Sequence, residues 1–373
     1  MSIIRHIYIH IPFCNGKCSY CNFYSETPYE QYADSFLAAL KREMKVMSGT
    51  YNIIPATIYI GGGTPLLLSD KHLEQLLRSI HSIFNTNELK EWTVEGNPNC
   101  LSNAKIKLIR KFGVTRISLG AQSMDDSVLH AIGRRHTAED TRRAALLLHD
   151  SGFKDFGLDL IACLPGVNRH SWQNSVQEII ELKPTHISVY ALSLEPGSQL
   201  AQSDYKPAPP REEQFALQLA EESLGKAGYQ HYEVSNYAQD GFACKHNTAV
   251  WQGADFIGFG PAAASRIQLL RRTNKADLKQ YCSAAAPGTN QEILNRQTDA
   301  VERFMFTFRM YAGVNPRTFA ANHGPEARLL LPFWLEKLRD LKHQGLVDYD
   351  GTNWALTKNG RSFADTVAEA MIP

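Results

Sequence analysis

The first thirteen residues, Met1 to Phe13, alternate apolar and polar positions, with Arg5, His6 and His10 set among isoleucines. A period of two predicts a β-strand, and the lack of an apolar core segment with a small-residue cleavage site argues against a signal peptide. Runs rich in β-branched or aromatic residues recur at His6 to Ile11, Ala56 to Ile60, Trp92 to Gly96, Arg116 to Gly120, Phe156 to Ile161 and His186 to Ala191. A stretch of helical character follows each. In Tyr29 to Met47, the residues Tyr32, Phe36, Leu40 and Met44 share one face, while Lys41, Arg42, Glu43 and Lys45 lie largely off it. Ser69 to Phe84 is built alike, with Leu73, Leu76, Leu77 and Ile80 behind a Ser69 N-cap. Ser102 to Phe112, Ala138 to Ser151, Ser171 to Leu182 and Arg211 to Ala227 complete the set, the last closed by Gly228.

Strands joined by helical crossovers lie parallel, and six such units close, or partly close, into a barrel-like sheet wrapped by helices. Functional groups then belong at the C-terminal ends of the strands. Lys206 to Pro210 (KPAPP) reads as a stiff loop. Beyond about residue 290 the pattern changes to helices at Asp299 to Tyr311 and Ala327 to His343. A hairpin follows, Leu346 to Tyr349 and Trp354 to Leu356 around Asp350 and Gly351, then a helix capped at Thr357. This predicts a division into residues 1–290 and a small helical or winged-helix-like domain, residues 291–373. The closing helix carries Asp365 and Glu369, with only Lys358 and Arg361 at its start, so its charge suits an inward-packing accessory module and not a DNA reader.

Composition narrows the function classes. Across 373 residues, 39 Lys and Arg balance 38 Asp and Glu to a net charge of +1, too little for a general nucleic-acid binder. No apolar run approaches the roughly 18 to 20 residues of a transmembrane segment. Seven cysteines is an odd count, and Cys14, Cys18 and Cys21 crowd into eight positions, which reads as a metal site in a reducing cytoplasm and not a disulfide framework.

Those three cysteines follow the first strand, on a loop free to wrap a ligand. Three thiolates can hold three irons of a [4Fe–4S] cluster and leave the fourth open, whereas structural zinc takes four closed ligands. A zinc site completed by His10, or three unbonded thiols, is the alternative from spacing alone. Gly61-Gly62-Gly63-Thr64-Pro65 ends the second strand, where the backbone can approach a small polar ligand or simply turn tightly into a helix. It is neither a dinucleotide fingerprint nor a phosphate loop. Glu95, Gln122 and Asp159 break otherwise apolar segments at or just beyond the third, fourth and fifth strands. Converging there, they could hold an amino group and ribose hydroxyls; singly, each reads equally as a cap or surface residue.

Taken with Tyr8-Ile-His-Ile-Pro-Phe-Cys14, Gly120-Ala-Gln122, Arg134, Asp159-Leu-Ile, Leu164-Pro165 and Tyr190-Ala191, these motifs resemble the radical S-adenosylmethionine (SAM) enzymes related to oxygen-independent coproporphyrinogen III oxidase. The resemblance runs over about residues 1 to 270 and more weakly beyond. It implies an α/β fold, an incomplete (βα)6 radical SAM barrel with a small C-terminal helical or winged-helix-like domain. It also implies that Cys14, Cys18 and Cys21 ligate a [4Fe–4S] cluster, that Tyr20 lies by the adenine and that Gly62, Gly63 and Thr64 take the methionine end. Tyr8, Glu95, Gln122, Arg134, Asp159 and Ala191 would complete the SAM site. In this superfamily an electron from the cluster cleaves SAM to methionine and a deoxyadenosyl radical.

The oxidase typically has a cysteine two residues after the third ligand and a longer N-terminal segment, whereas Cys21 here is followed by Asn22-Phe23-Tyr24. Both absences resemble the HemW-type haem chaperones, as do Leu194-Glu-Pro-Gly197, Tyr232-Glu-Val-Ser-Asn-Tyr237 and Cys244-Lys-His246-Asn247-x-x-x-Trp251. That implies haem as a ligand, with His246 the best axial candidate and Cys244 and Trp251 behind it, and haem-requiring proteins as recipients. The alternatives are an oxidase-like enzyme or another radical SAM porphyrin- or haem-modifying enzyme. Two positions depart from the family pattern: Val250 stands where H-N-x-x-Y-W has Tyr, and Ala264 where G-x-G-x-G-A-H-S has His. Cys163 stands where the family usually has Gly, and with Cys100 and Cys282 is expected to be a buried thiol. Arg134-Arg135-His136 and Arg142-Arg143 form a basic patch at which an acidic electron donor such as a flavodoxin or ferredoxin could dock.

Overall fold

The computed structural model describes residues 3–27, 30–284 and 287–373. Met1, Ser2 and Tyr29, included in the predicted first strand and helix, lie outside the described residues. The chain opens with β1 (Ile4–Ile11), α1 (Ala33–Thr50), β2 (Ile53–Gly62), α2 (Asp70–Ile83), β3 (Glu91–Gly96), α3 (Asn103–Lys111) and β4 (Arg116–Gln122). It continues through α4 (Asp126–Ala131), α5 (Ala138–Asp150), β5 (Asp155–Ala162), α6 (Arg169–Glu181), β6 (His186–Ala191) and α7 (Pro210–Lys226). The six strands run parallel in sequence order, as the repeating pattern predicted. Ser69 accepts from His72 N at 3.3 Å as the predicted cap of α2, and Gly228 follows α7 at φ +88°.

The sheet does not close. Beyond β6 it gains β7 (Gln230–Glu233) and β8 (Asn236–Ala238), after which comes α8 (Lys245–Trp251). Beyond β1 it gains β9 (Phe256–Phe259), parallel to β1, and the antiparallel β10 (Ala264–Ile267), β11 (Leu270–Asn274) and, after α9 (Leu278–Ser283), β12 (Thr289–Ile293). The result is one open sheet of twelve strands in the order β12-β11-β10-β9-β1-β2-β3-β4-β5-β6-β8-β7.

Each of β1 to β6 presents two chemically different faces, because successive side chains point opposite ways. Ile7, Ile9, Ile58, Ile60, Val94, Ile117, Leu119, Leu158, Leu160, Ile187 and Val189 pack in the main core with the apolar stripes of the helices. The intervening residues, His6, Tyr8, Thr57, Tyr59, Glu95, Arg116, Ser118, Asp159, His186 and Ser188, form a polar inner face. Glu43 departs from the prediction. Expected on the polar side of α1, it is buried, where it accepts from Gly260 N at 2.9 Å, Asn274 Nδ2 at 2.8 Å and Tyr281 hydroxyl at 2.6 Å, fastening β11 and α9 to α1.

Residues beyond the sheet form α10 (Arg296–Thr307), α11 (Pro316–Asn322), α12 (Gly324–His343), the hairpin β13 (Val347–Tyr349) and β14 (Trp354–Leu356), and α13 (Ala364–Glu369). Helix α11 was not predicted: at seven residues it is too short to show an apolar period. Thr357 accepts from Gly360 N at 2.9 Å, but it does not cap the closing helix: a 3-10 turn over Gly360–Phe363 intervenes, and α13 begins only at Ala364. A second core gathers here around Trp334, which stacks on Phe304 at 4.1 Å between ring centres and donates its indole N–H to Met371 O at 3.1 Å. Arg303 joins this module to the sheet through Asp255 at 2.9 Å. Phe304→Ala should cost about 3–5 kcal/mol in denaturant unfolding, and a loss under 1 kcal/mol would show that this stack does not hold the module together.

Candidate functional site

The C-terminal ends of β1 to β6 open onto a cavity of about 810 Å³, and every predicted cluster and SAM residue except Ala191 lines it. Its neighbour Tyr190 lines the wall instead. The loop after β1 carries Cys14, Cys18 and Cys21 and is pinned at several points. Ser19 N donates to Ile132 O at 3.1 Å, Leu200 N to Ser19 O at 2.7 Å and Cys21 N to Cys18 O at 3.1 Å. All three thiols are free and half-buried. Burial pushes the Cys18 and Cys21 thiols up, so metal capture must release protons. Among the described residues no group of three His, Cys, Asp or Glu side chains stands ready in ligating geometry. The donor set nevertheless suits iron–sulfur ligation, with three soft sulfurs on one cavity wall. His10 is no fourth ligand: both ring nitrogens are engaged, with the Tyr8 hydroxyl at 3.1 Å and with Tyr24 O at 2.8 Å.

Glycine is required where β2 ends. Gly62 has φ +101°, and a Cβ there would meet His10 Nδ1 at 2.5 Å; one on Gly63 would meet Phe13 O at 2.5 Å. The bare backbone lets this turn pack against the cysteine loop, with Gly63 N donating to Ile11 O at 2.8 Å and Thr64 N to Phe13 O at 2.7 Å. Thr64 Oγ1 lies 3.5 Å from Cys14 Sγ.

Opposite lie the carboxylates. Glu95 accepts from the Tyr59 hydroxyl at 2.6 Å and from Gly62 N at 3.3 Å. Burial, reinforced by the Asp159 charge, pushes its carboxyl up to about 7. Burial likewise raises Asp159, which accepts from Ser118 Oγ at 3.3 Å. Gln122 ends β4 with φ +65°, an arrangement that concentrates at functional sites. Its Oε1, like Arg134 Nε, is buried with no partner, and such orphaned atoms in a cavity wall are what a polar ligand satisfies. Arg134 Nη1 donates to Asn97 Oδ1 at 2.6 Å.

The far wall comes from α8. His246 lines the cavity with its Nδ1 2.8 Å from Thr57 Oγ1, and burial depresses its pKa to about 3, leaving a neutral imidazole. Trp251 also lines the cavity. Cys244 does not: it is fully buried, donates to Glu91 Oε1 at 3.4 Å and is pushed up to about 12 by burial, so the fold places this candidate behind the cavity wall and not in it. Asn247 of the His246 motif lines the cavity, as do Tyr59, Asn97 and Ser118, which had not been singled out. The available signal was strand alternation, since Tyr59 and Ser118 share the inner-face parity of Glu95 and Asp159.

Other expectations shift. Cys100, Cys163 and Cys282 are half-buried, not buried, and Cys163 has φ +61°, the conformation for which glycine is suited. Of the basic patch, Arg134 faces the cavity, His136 is buried and Arg135 is exposed. Arg142 is paired with Glu139 at 3.0 Å and with Glu178, and Arg143 with Asp140.

The comparisons agree with this architecture. The model for the radical SAM superfamily matches residues 8–179, and that for the HemN C-terminal domain matches residues 294–363. Coproporphyrinogen III oxidase (HemN) from Escherichia coli superposes with a TM-score of 0.85 over 99% of this chain and 90% of its own, at 23% identity. The fold is therefore the radical SAM fold, whose family implies a [4Fe–4S] cluster and SAM. Among curated relatives, the Heme chaperone HemW of Bacillus subtilis is 31% identical, covering 99% of both chains. That of Lactococcus lactis is 32% identical, covering 98% of this chain and 96% of its own. The chain belongs to the HemW family.

A cationic ligand in the cavity should bind several-fold more tightly at pH 8 than at pH 6. Glu95 is largely neutral below about 7 and charged above it, so attraction grows as the proton leaves. Calorimetric titration with SAM reads this, Glu95→Gln should flatten the dependence, and a pH-independent affinity in the unsubstituted protein would contradict the assignment.

Proposed function

We propose that this chain is a radical SAM [4Fe–4S] protein that binds haem and delivers it to haem-requiring proteins. The observation that carries the reading is the meeting in one cavity of the three-cysteine loop, the Gly62-Gly63 turn, the Glu95–Asp159 wall and the imidazole of His246. Cys14, Cys18 and Cys21 would ligate the cluster. Gly62, Gly63 and Thr64 offer backbone and hydroxyl groups to the polar end of SAM, while Tyr8, Tyr20, Glu95, Gln122, Arg134 and Asp159 surround the remainder. Ala191 would act only through its backbone, since Tyr190 stands before it. The cluster, when bound, supplies the electron for reductive SAM cleavage; the chain's own part is to orient the sulfonium and exclude water.

His246 is suited to iron. With Nδ1 tied to Thr57, it offers its other nitrogen as a neutral donor at physiological pH. The relatives named Heme chaperone HemW support the same reading. Residues 1–290 would hold the cofactors, and residues 291–373 would pack against them as an accessory module. An acidic one-electron donor of the flavodoxin or ferredoxin kind would approach the exposed Arg135 beside the cysteine loop.

Anaerobic haem titration of the reconstituted protein tests this reading. Saturable one-site binding, weakened at least tenfold in His246→Ala, is the expected result, and absence of binding would overturn it. Given coproporphyrinogen III, SAM and reductant, the protein should form no vinyl product; its appearance would instead identify an oxidase. Cys18→Ser should abolish the broad iron–sulfur absorption after reconstitution, because a hydroxyl does not replace a thiolate as a soft ligand, and a wild-type spectrum would remove Cys18 from the ligand set.

A further inference from the structure

A second chamber of about 800 Å³ adjoins the first, and the two share Val250, Trp251 and Phe256 as a common wall. One side is a face of the antiparallel sheet extension. Ala264 and Arg266 of β10 stand in register with Thr273 and Arg271 of β11, so period-two alternation turns all four toward the chamber. Phe306 and Arg309 at the end of α10 face them, and α13 closes the space with Ala364 and Ala368. Val250 and Ala264 meet in this one space.

The charges in the chamber are unequally engaged. Arg266 is held by Asp299 at 2.7 Å and Glu302 at 3.1 Å, and Arg271 by Glu292 at 3.1 Å and by Glu302. Arg309 is different. Its guanidinium lies over the Trp251 ring at 4.6 Å, its Nε is buried without a partner, and its ion-pair partner is the exposed Asp365 at 3.5 Å, with the buried Glu233 the other carboxylate that feels its charge. A ligand carboxylate could take the place of Asp365, whose side chain is 89% exposed and returns to water at little cost. Of the other acidic groups lining the chamber, Glu302 is taken up by Arg266 and Arg271, and Glu369 belongs to α13.

We propose that this chamber seats the macrocycle of a planar, carboxylate-bearing tetrapyrrole, with one carboxylate on Arg309 and the ring between Ala264 and Phe306. The inference rests on the haem reading above and deepens it. The first cavity carries the cysteine loop and the Glu95–Asp159 wall that suit a cluster and SAM, whereas the second sets the rings of Phe256, Phe306 and Phe308 beside its charged pairs, lies within the usual size of small-molecule pockets of about 300–1,000 Å³ and is one helical turn from His246 through Val250.

Metal-free protoporphyrin IX separates the seat from the iron ligand. The wild-type protein should bind it saturably, followed by fluorescence. Ala264→Trp, which fills the chamber from an exposed strand position, should weaken binding at least tenfold while leaving SAM binding and the iron–sulfur spectrum unchanged; Ala264→Ser should bind as the wild type does. Arg309→Gln should weaken protoporphyrin IX several-fold and leave its dimethyl ester unaffected. His246→Ala should weaken haem but not protoporphyrin IX. If Ala264→Trp keeps its SAM affinity and binds haem and protoporphyrin IX as tightly as the wild type, the seat lies elsewhere and this proposal falls while the haem reading stands. If the wild-type protein binds neither, the haem reading falls and the proposal with it.

Discussion

The structure depends on an unusual division of its parallel sheet. Parallel strands enclosed on both sides are commonly apolar on both, yet here only the helix-facing side is. The opposite side carries histidine, tyrosine, threonine, serine, arginine and carboxylates in an enclosed space, where an unpartnered polar group is costly. The face is therefore stitched to itself: Tyr59 to Glu95, Ser118 to Asp159, and His6 through Thr57 to His246. The stitching is incomplete: Gln122 Oε1 and Arg134 Nε remain orphaned at the mouth, and Arg116 Nε and Nη1 and His186 Nδ1 deeper on the same face. The same polarity that burdens the fold leaves binding capacity at the mouth, and the open sheet keeps that mouth wide enough for a ligand.

At the opposite end of this face, Glu91 performs a second essential task. Its carboxylate accepts from Lys245 N at 2.7 Å and His246 N at 3.0 Å, capping α8 from a strand more than 150 positions earlier in the chain. A carboxylate satisfies the free N–H groups of a helix start and complements its dipole. It also fixes where α8 lies, which holds His246 against Tyr59 at 5.2 Å between ring centres. From that anchor Val250 follows four residues later on the same helix face. One buried carboxylate thus sets the far wall of the first cavity and the near wall of the second.

Much of the fold was legible because it is written in local periods. The six parallel strands and their helices follow from apolar residues spaced at two and at three to four, and the late hairpin from Asp350-Gly351 between short apolar runs. The strands that extend the sheet were not legible. β7 to β12 are three to five residues long, and all but the four-residue apolar β9 carry Arg, Asn, Gln or Glu, too short or too polar to register as apolar runs. Their place is set by distant contacts such as Glu43 with Asn274 and Tyr281. The polar residues at the strand ends could be flagged because they interrupt apolar runs, whereas Tyr59 and Ser118, ordinary strand residues by type, are marked only by sharing the parity of Glu95 and Asp159. Cys244 misled for a related reason: beside His246 in sequence it looks like a ligand, but the turn into α8 sends the thiol to Glu91 and the imidazole to the cavity.

The two chambers differ in the way their walls were made. The first is built from the inner face of a parallel sheet, whose residues are fixed by alternation against a helix-packed core. The second lies between elements from different parts of the chain: an antiparallel extension, the end of α10 and the short α13. Walls of the first kind are rigid, because moving one inner residue displaces a core residue beside it. Walls of the second kind meet only through side chains and a few ion pairs such as Arg309 with Asp365. A protein that must hold one small polar ligand in fixed geometry while admitting and releasing a larger one is served by that contrast, with α8 and the start of β9 common to both.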